Sequence, residues 1–194
     1  MFMEKDTLRL TRAQLLTLLL LGLLLCLSAG MLWYYLAGQS ASVAESPAAS
    51  ALQANPGEGE AYTNLAGEAV ALDQYLGTVL VVLSWASWCP QCAEELTRIE
   101  RVTAAYDATS VRYLAINRAE PKETAERFVN YHGISDRRNI ILDPSDRYYT
   151  TIGGFAMPEI LIYDAAGQIH THIRGQADDE VLRQAIERAL DSDA

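Results

Sequence analysis

Cysteine is scarce in this chain of 194 residues, with three at positions 26, 89 and 92. That is too few for a small scaffold stapled by several disulfides. Histidine is equally scarce, at three residues. A structural zinc site wants four ligands, usually with a second cysteine or histidine pair, and the third cysteine lies apart in an apolar run. His132 falls at a predicted helix end, and His170 and His172 fall on the polar face of a predicted strand, so all three read as solvated. Lysine and arginine are absent between Arg12 and Arg98, and the net charge is -10. A nucleic-acid surface, which needs clustered cations against phosphates, is therefore excluded. The acidity serves solubility. No internal repeat of solenoid period is visible, and the length suits one ordinary domain with an appendage.

One long apolar run is present. Leu15 to Leu36 is rich in leucine and carries no charge, and at about 1.5 Å per residue such a helix crosses a hydrocarbon core roughly 30 Å thick. Trp33, Tyr34 and Tyr35 cluster at its far end, where amphipathic rings suit the lipid–water boundary. Lys5, Arg9 and Arg12 precede the run, so the positive-inside rule puts the N-terminus in the cytoplasm and everything after residue 37 outside it. Ser42-Val43-Ala44 offers small residues for a cleaved signal, but the run is longer than a typical signal core, which favours an uncleaved signal-anchor in the lipid bilayer. Bulky Leu25 directly before Cys26 speaks against a lipoprotein signal, and Cys26 reads as a small apolar residue facing lipid or a helix. The expected organisation is a cytoplasmic stub and anchor over 1–37, a flexible Ala/Ser/Gly/Pro tether over 38–60 and one domain over 61–194.

The domain reads as alternating α/β. Short strand-like pieces at Tyr62–Leu65 and Ala69–Leu72 flank Gly67, which suits a hairpin turn. Thr78 to Trp85 is almost continuously apolar and β-branched, as a central strand buried on both faces should be. After Cys89-Pro90 a helical period begins at Ala93, Leu96, Ile99, Val102 and Tyr106. A strand is predicted over Val111–Asn117, a helix from about Pro121 to Tyr131 with Gly133 past its end, and a short strand at Ile140–Leu142. Ile160–Tyr163 and Gln168–Arg174 around Asp164-Ala-Ala-Gly167 make an antiparallel edge pair. A last helix opens on Asp178, Asp179 and Glu180 and carries a stripe of Leu182, Ala185, Ile186, Ala189 and Leu190.

Cys89 and Cys92 form a C-x-x-C between a buried strand and a helix. Dithiol chemistry needs one stabilised, exposed thiolate and a second thiol close enough to resolve the mixed disulfide. At a helix start, orphan N–H groups and the macrodipole favour the anion, which makes Cys89 the nucleophile and Cys92, one turn inside, the resolving thiol.

The stretch Ser84-Trp-Ala-Ser-Trp-Cys-Pro-Gln-Cys92 resembles the active-site segment of bacterial TlpA-like and DsbE-like (ResA- and CcmG-type) thioredoxin-fold proteins, and the likeness covers about residues 61 to 191. It implies a thioredoxin-like fold with a central mixed sheet, an N-terminal hairpin, a central insertion and a reversible Cys89–Cys92 disulfide. It also implies that Pro158, in Met157-Pro158-Glu159, has a cis peptide bond and packs beside the dithiol. Met157 would then present its backbone to a substrate peptide, and Trp88 would cover the pair, while Trp85 reads as core. Many thioredoxins carry a buried acid six residues before the first cysteine. Here that position is Leu83, which cannot move a proton. The family often has a glutamate at the places of Glu159 and Glu95, and Glu159 is expected to be the main proton partner.

By the same resemblance the chain is an oxidoreductase of the bacterial inner membrane, single-pass, with its catalytic domain periplasmic. It would keep the cysteines of protein substrates reduced, as in cytochrome c maturation, and exchange electrons with a membrane partner of the DsbD type. No cofactor, metal or nucleic acid is implied. An oxidant or isomerase is the alternative within the class, since Pro90-Gln91 does not set redox direction. A Sco-like copper chaperone, whose cysteines are separated by three residues rather than two, and a redox-silent docking module are the alternatives outside it.

Overall fold

The residues Val79–Trp85 are buried without exception, as befits a strand with neighbours on both edges and packing on both faces. The computed structural model describes residues 21–22, 24–28, 30–32 and 62–192. Over 62–192 the strands are β1 (Tyr62–Asn64), β2 (Ala69–Val70), β3 (Val79–Trp85), β4 (Val111–Arg118), β5 (Ile140–Asp143), β6 (Glu159–Tyr163) and β7 (Ile169–Arg174). The helices are α1 (Cys92–Thr103), α2 (Lys122–Tyr131), α3 (Arg147–Thr151) and α4 (Asp179–Asp191). One sheet of order β2-β1-β5-β4-β3-β6-β7 contains all seven strands. β3 runs parallel to β4 and antiparallel to β6, so the sheet is mixed and β3 lies inside it.

Side chains alternate across a strand, and the two sheet faces separate accordingly. Val79, Val81, Leu83 and Trp85 join Leu96 and Ile99 of α1, Leu182 and Ile186 of α4, and both cysteines. Leu80 and Val82 face the other way, into a layer with Leu72, Tyr148, Tyr149, Leu161 and Tyr163. On β6 the same alternation sends Ile160 and Ile162 to the cysteine side and Leu161 and Tyr163 to the tyrosine side.

Chain reversals occur where the residue types permit them. Gly67 takes φ 87° in the β1–β2 hairpin, where Asn64 holds Glu68 through its side chain. Gly133 takes φ 70° past α2, and the Ile134 N–H donates to the Val129 carbonyl to close that helix. Asp178 caps α4 by accepting from the Val181 N–H at 2.9 Å.

Three local expectations are revised. The second hairpin strand stops at Val70, and Leu72–Tyr75 forms a 3-10 turn. α3, five residues long, stands between β5 and β6, where no element is expected. α1 begins at Cys92, with Gln91 as its N-cap residue, so Pro90 and Cys89 lie in the turn that leads into it.

The chain divides into two compact units, Met1–Ala44 and Glu45–Ala194. In the first, residues 21–22, 24–28 and 30–32 are helical, and Leu24, Leu25, Leu27 and Met31 are exposed, as is the free thiol of Cys26. Among the described residues no helix is long and apolar enough to cross a membrane. Much of the expected span Leu15–Leu36, and the tether over 38–60, lie outside the described residues.

Candidate active site

A strand that ends abruptly at Trp85 and a helix that starts at Cys92 leave six residues to turn the chain, and the pair of cysteines brackets the second half of that turn. The Cys89 N–H donates to the Ala86 carbonyl at 3.1 Å and the Cys92 N–H to the Cys89 carbonyl at 3.3 Å. These two bonds fold Cys89 back over the first turn of α1, and the side chains close a disulfide with the Cα atoms 5.4 Å apart. Both residues are buried, Cys89 at 2% exposure and Cys92 at none. Cys89, expected as the exposed sulfur, is thus covered in the oxidised form.

Cys92 starts α1, where backbone N–H groups lack helical partners and the dipole favours a negative charge. Glu95 follows by three residues, a spacing that makes it Cys92's neighbour on the helix surface. Its carboxylate is wholly buried and accepts from Arg98 at 2.7 Å. Burial raises the Glu95 carboxyl above its ordinary value, with Arg98 pulling the other way. Leu83 is fully buried in the same cluster as the two cysteines, so the residue six before Cys89 offers packing and no proton.

The Met157–Pro158 bond is cis, as the resemblance implies. Pro158 is buried, and Met157 packs against the cluster that includes both cysteines. Trp88 is 61% exposed, whereas Trp85 is fully buried with its ring 5.0 Å from that of Phe128. Phe155, three residues before Pro158, is 75% exposed, with the Arg174 guanidinium 4.7 Å from its ring centre.

Glu159 is placed otherwise than expected. It opens β6 opposite Ser84 and has the parity of Leu161 and Tyr163, so its side chain leaves the sheet on the face away from the cysteines. There it is fully buried, with Oε1 2.9 Å from His172 Nε2 and 3.3 Å from Arg174 Nε, while Oε2 is unpartnered. Glu159, expected as the main proton partner, is thus set by its parity on the sheet face opposite the cysteines. His172, read as solvated, is instead the partner of a buried carboxylate, while His170 is exposed and His132 stacks on Phe128 at 4.5 Å.

Three residues near the dithiol escaped the sequence reading. Ser87, in the turn before Cys89, donates its backbone N–H and its hydroxyl to the Glu120 carboxylate at 2.8 and 2.5 Å. Asn117, at the end of β4, donates to the same carboxylate at 2.7 Å. Glu120 reaches them because Ala119 takes a left-handed φ of 45° just past β4. Ser87 and Glu120 are 33 positions apart, and no local pattern joins them. The one available signal is that each lies within three residues of the end of a predicted strand, Thr78–Trp85 or Val111–Asn117.

Among the described residues no group of three or more His, Cys, Asp or Glu side chains is placed to hold a metal ion. What the geometry can do is cycle between dithiol and disulfide.

The comparisons agree with that chemistry. Residues 49–172 match the model of the AhpC/TSA family. The chain is 26% identical to the thiol-disulfide oxidoreductase ResA of Geobacillus thermodenitrificans over 125 residues, 64% of this chain and 71% of that one. It is 29% identical to the thiol:disulfide interchange protein DsbE of Allochromatium vinosum over 116 residues, 59% of this chain and 61% of that one. Among solved structures it is similar to a candidate DsbE from Chlorobium tepidum, with 26% identity, a TM-score of 0.61, and coverage of 68% of this chain and 92% of the other. A buried disulfide closed between two turn-forming cysteines, a mixed sheet beneath it and a match over most of the domain converge: the chain belongs to the AhpC/TSA family and is a thiol–disulfide oxidoreductase of the ResA and DsbE type.

Proposed function

We propose that this oxidoreductase works outside the cytoplasm, held to the bacterial inner membrane by the Leu15–Leu36 run, and that it reduces disulfides of partner proteins. The observation that carries the reading is the Cys89–Cys92 disulfide at the start of α1, in the same cluster as Leu83. In the reduced form the Cys89 thiolate attacks a partner disulfide, a new sulfur–sulfur bond forms, and one partner thiolate leaves. Cys92 then loses its proton and attacks the Cys89 sulfur, which frees the second partner thiolate and restores the disulfide. Two electrons pass to the partner, and a membrane donor of the DsbD type returns them.

Glu95 takes the Cys92 proton in this scheme, because it is Cys92's helix neighbour and its carboxyl is raised by burial. Met157 and Pro158 offer a backbone edge to the substrate chain, with Trp88 beside it. Apocytochrome c is the proposed substrate class. The acidic chain, the uncharged leucine run and the cationic N-terminus support the membrane topology.

The reduction potential tests the direction. The full chain is expected to equilibrate near thioredoxin, at about −270 mV, and a value near that of the strong oxidant DsbA, about −120 mV, would overturn the reductant reading.

A further inference from the structure

The turn that carries the nucleophile is tied down by a carboxylate from another element. Glu120 accepts three hydrogen bonds, two from Ser87 and one from Asn117. Asn117 stands opposite Trp85 in the β3–β4 register, so the clamp joins the ends of the two central parallel strands. Ser87 is two residues before Cys89, and two residues of chain span at most about 7 Å between Cα atoms. A fixed negative charge is therefore held within a few ångströms of the backbone that positions the reactive sulfur. Glu95 sits beside Cys92 with Arg98 as its cation. Glu120's hydrogen-bond donors, by contrast, are a neutral amide, a hydroxyl and the Ser87 N–H, none of which cancels its charge.

We propose that Glu120 is a positioning residue that fixes the Ser87–Cys89 turn and, by its charge, disfavours the Cys89 thiolate, so that the dithiol gives up electrons more readily. The inference rests on the reductant reading and deepens it. The physical link is simple. An oxidant of this class is strong when its reduced form is stabilised, and a carboxylate beside the thiolate acts in the opposite sense. Leu83 removes one buried acid from under the cysteines, and Glu120 supplies a carboxylate from the flank, half-buried and hydrogen-bonded to Ser87 and Asn117. Glu120 touches no reacting atom; it acts through Ser87.

Glu120→Gln keeps an acceptor for Ser87 and removes the charge. In the full chain its thiol–disulfide equilibrium constant against glutathione is expected to move about tenfold towards the dithiol, which is about 30 mV. The pH midpoint of Cys89 alkylation by iodoacetamide is expected to fall in parallel. Ser87→Ala, which leaves the charge but loosens its hold on the turn, is expected to shift both in the same direction by about threefold. A constant within twofold of the wild type and an unmoved alkylation midpoint in Glu120→Gln would overturn the proposal, whatever happened to the melting temperature. If that variant did not fold, an unmoved midpoint in Ser87→Ala would overturn it. The wild-type potential judges the reductant reading, and the difference between variant and wild type judges Glu120, so the two fail separately.

Discussion

Glu95 is a carboxylate with no exposed surface, three residues after Cys92. Burial raises its carboxyl from the ordinary value of 4.5, and the Arg98 ion pair only partly offsets this. An acid raised in the folded state holds its proton at pH values where the unfolded chain has already released it. From about pH 4.5 upward through the raised value, folding is then weakened as pH increases. Glu95→Gln has no such slope. Wild type is expected to lose stability relative to Glu95→Gln across that window, by up to about 1.4 kcal/mol per pH unit, in urea unfolding at pH 4, 5.5 and 7. A constant difference across the three would contradict the assignment. At the same scale Cys89 and Cys92 were plain from the sequence, because their spacing is itself the signal. Glu159 is ranked ahead of Glu95 from the sequence because its sheet face depends on the register of β6 against β3, which no residue of β6 announces.

The elements that were legible are those with a long apolar period or run. β3 reads as central because it is apolar on both faces, α1 and α4 read as helices from stripes spaced by three and four, and α2 reads as one from Pro121 at its start and Gly133 past its end. α3 did not, because five residues are too few to show a period, and its Arg-Tyr-Tyr-Thr-Thr composition favours no helix. Yet α3 determines the loop that leads to Pro158. Tyr149 of α3 donates its hydroxyl to the Ala156 carbonyl at 2.7 Å, and the Arg118 guanidinium lies 3.3 Å from the Tyr149 ring centre. Arg118 is itself fixed by two hydrogen bonds to Asp146. A Cβ on Gly154 would come within 2.5 Å of the Tyr149 ring, which has Arg118 at its face and little room to yield. Gly154→Ala is therefore expected to cost about 1–3 kcal/mol, seen as a melting temperature lowered by several degrees, and to slow exchange with protein disulfides. Unchanged stability together with unchanged exchange would show that Tyr149 does not hold this loop.

At the scale of the whole molecule, one mixed sheet separates two chemistries. The cysteines, Leu83 and Glu95's helix lie on one face; Tyr148, Tyr149 and Tyr163, with Glu159 and its partners His172 and Arg174, lie on the other. In the proposed reaction, redox exchange takes place on the first face, where Cys89 forms the bond to the partner and Cys92 releases it. The most direct measurement is to express the full chain as Cys92→Ser and look for partner proteins held to it by mixed disulfides. The expected result is a set of adducts in the membrane fraction that dissolve on reduction and vanish in the Cys89→Ser/Cys92→Ser double variant. Adducts that persist without Cys89, or none from Cys92→Ser when the folded protein is abundant, would contradict the central claim.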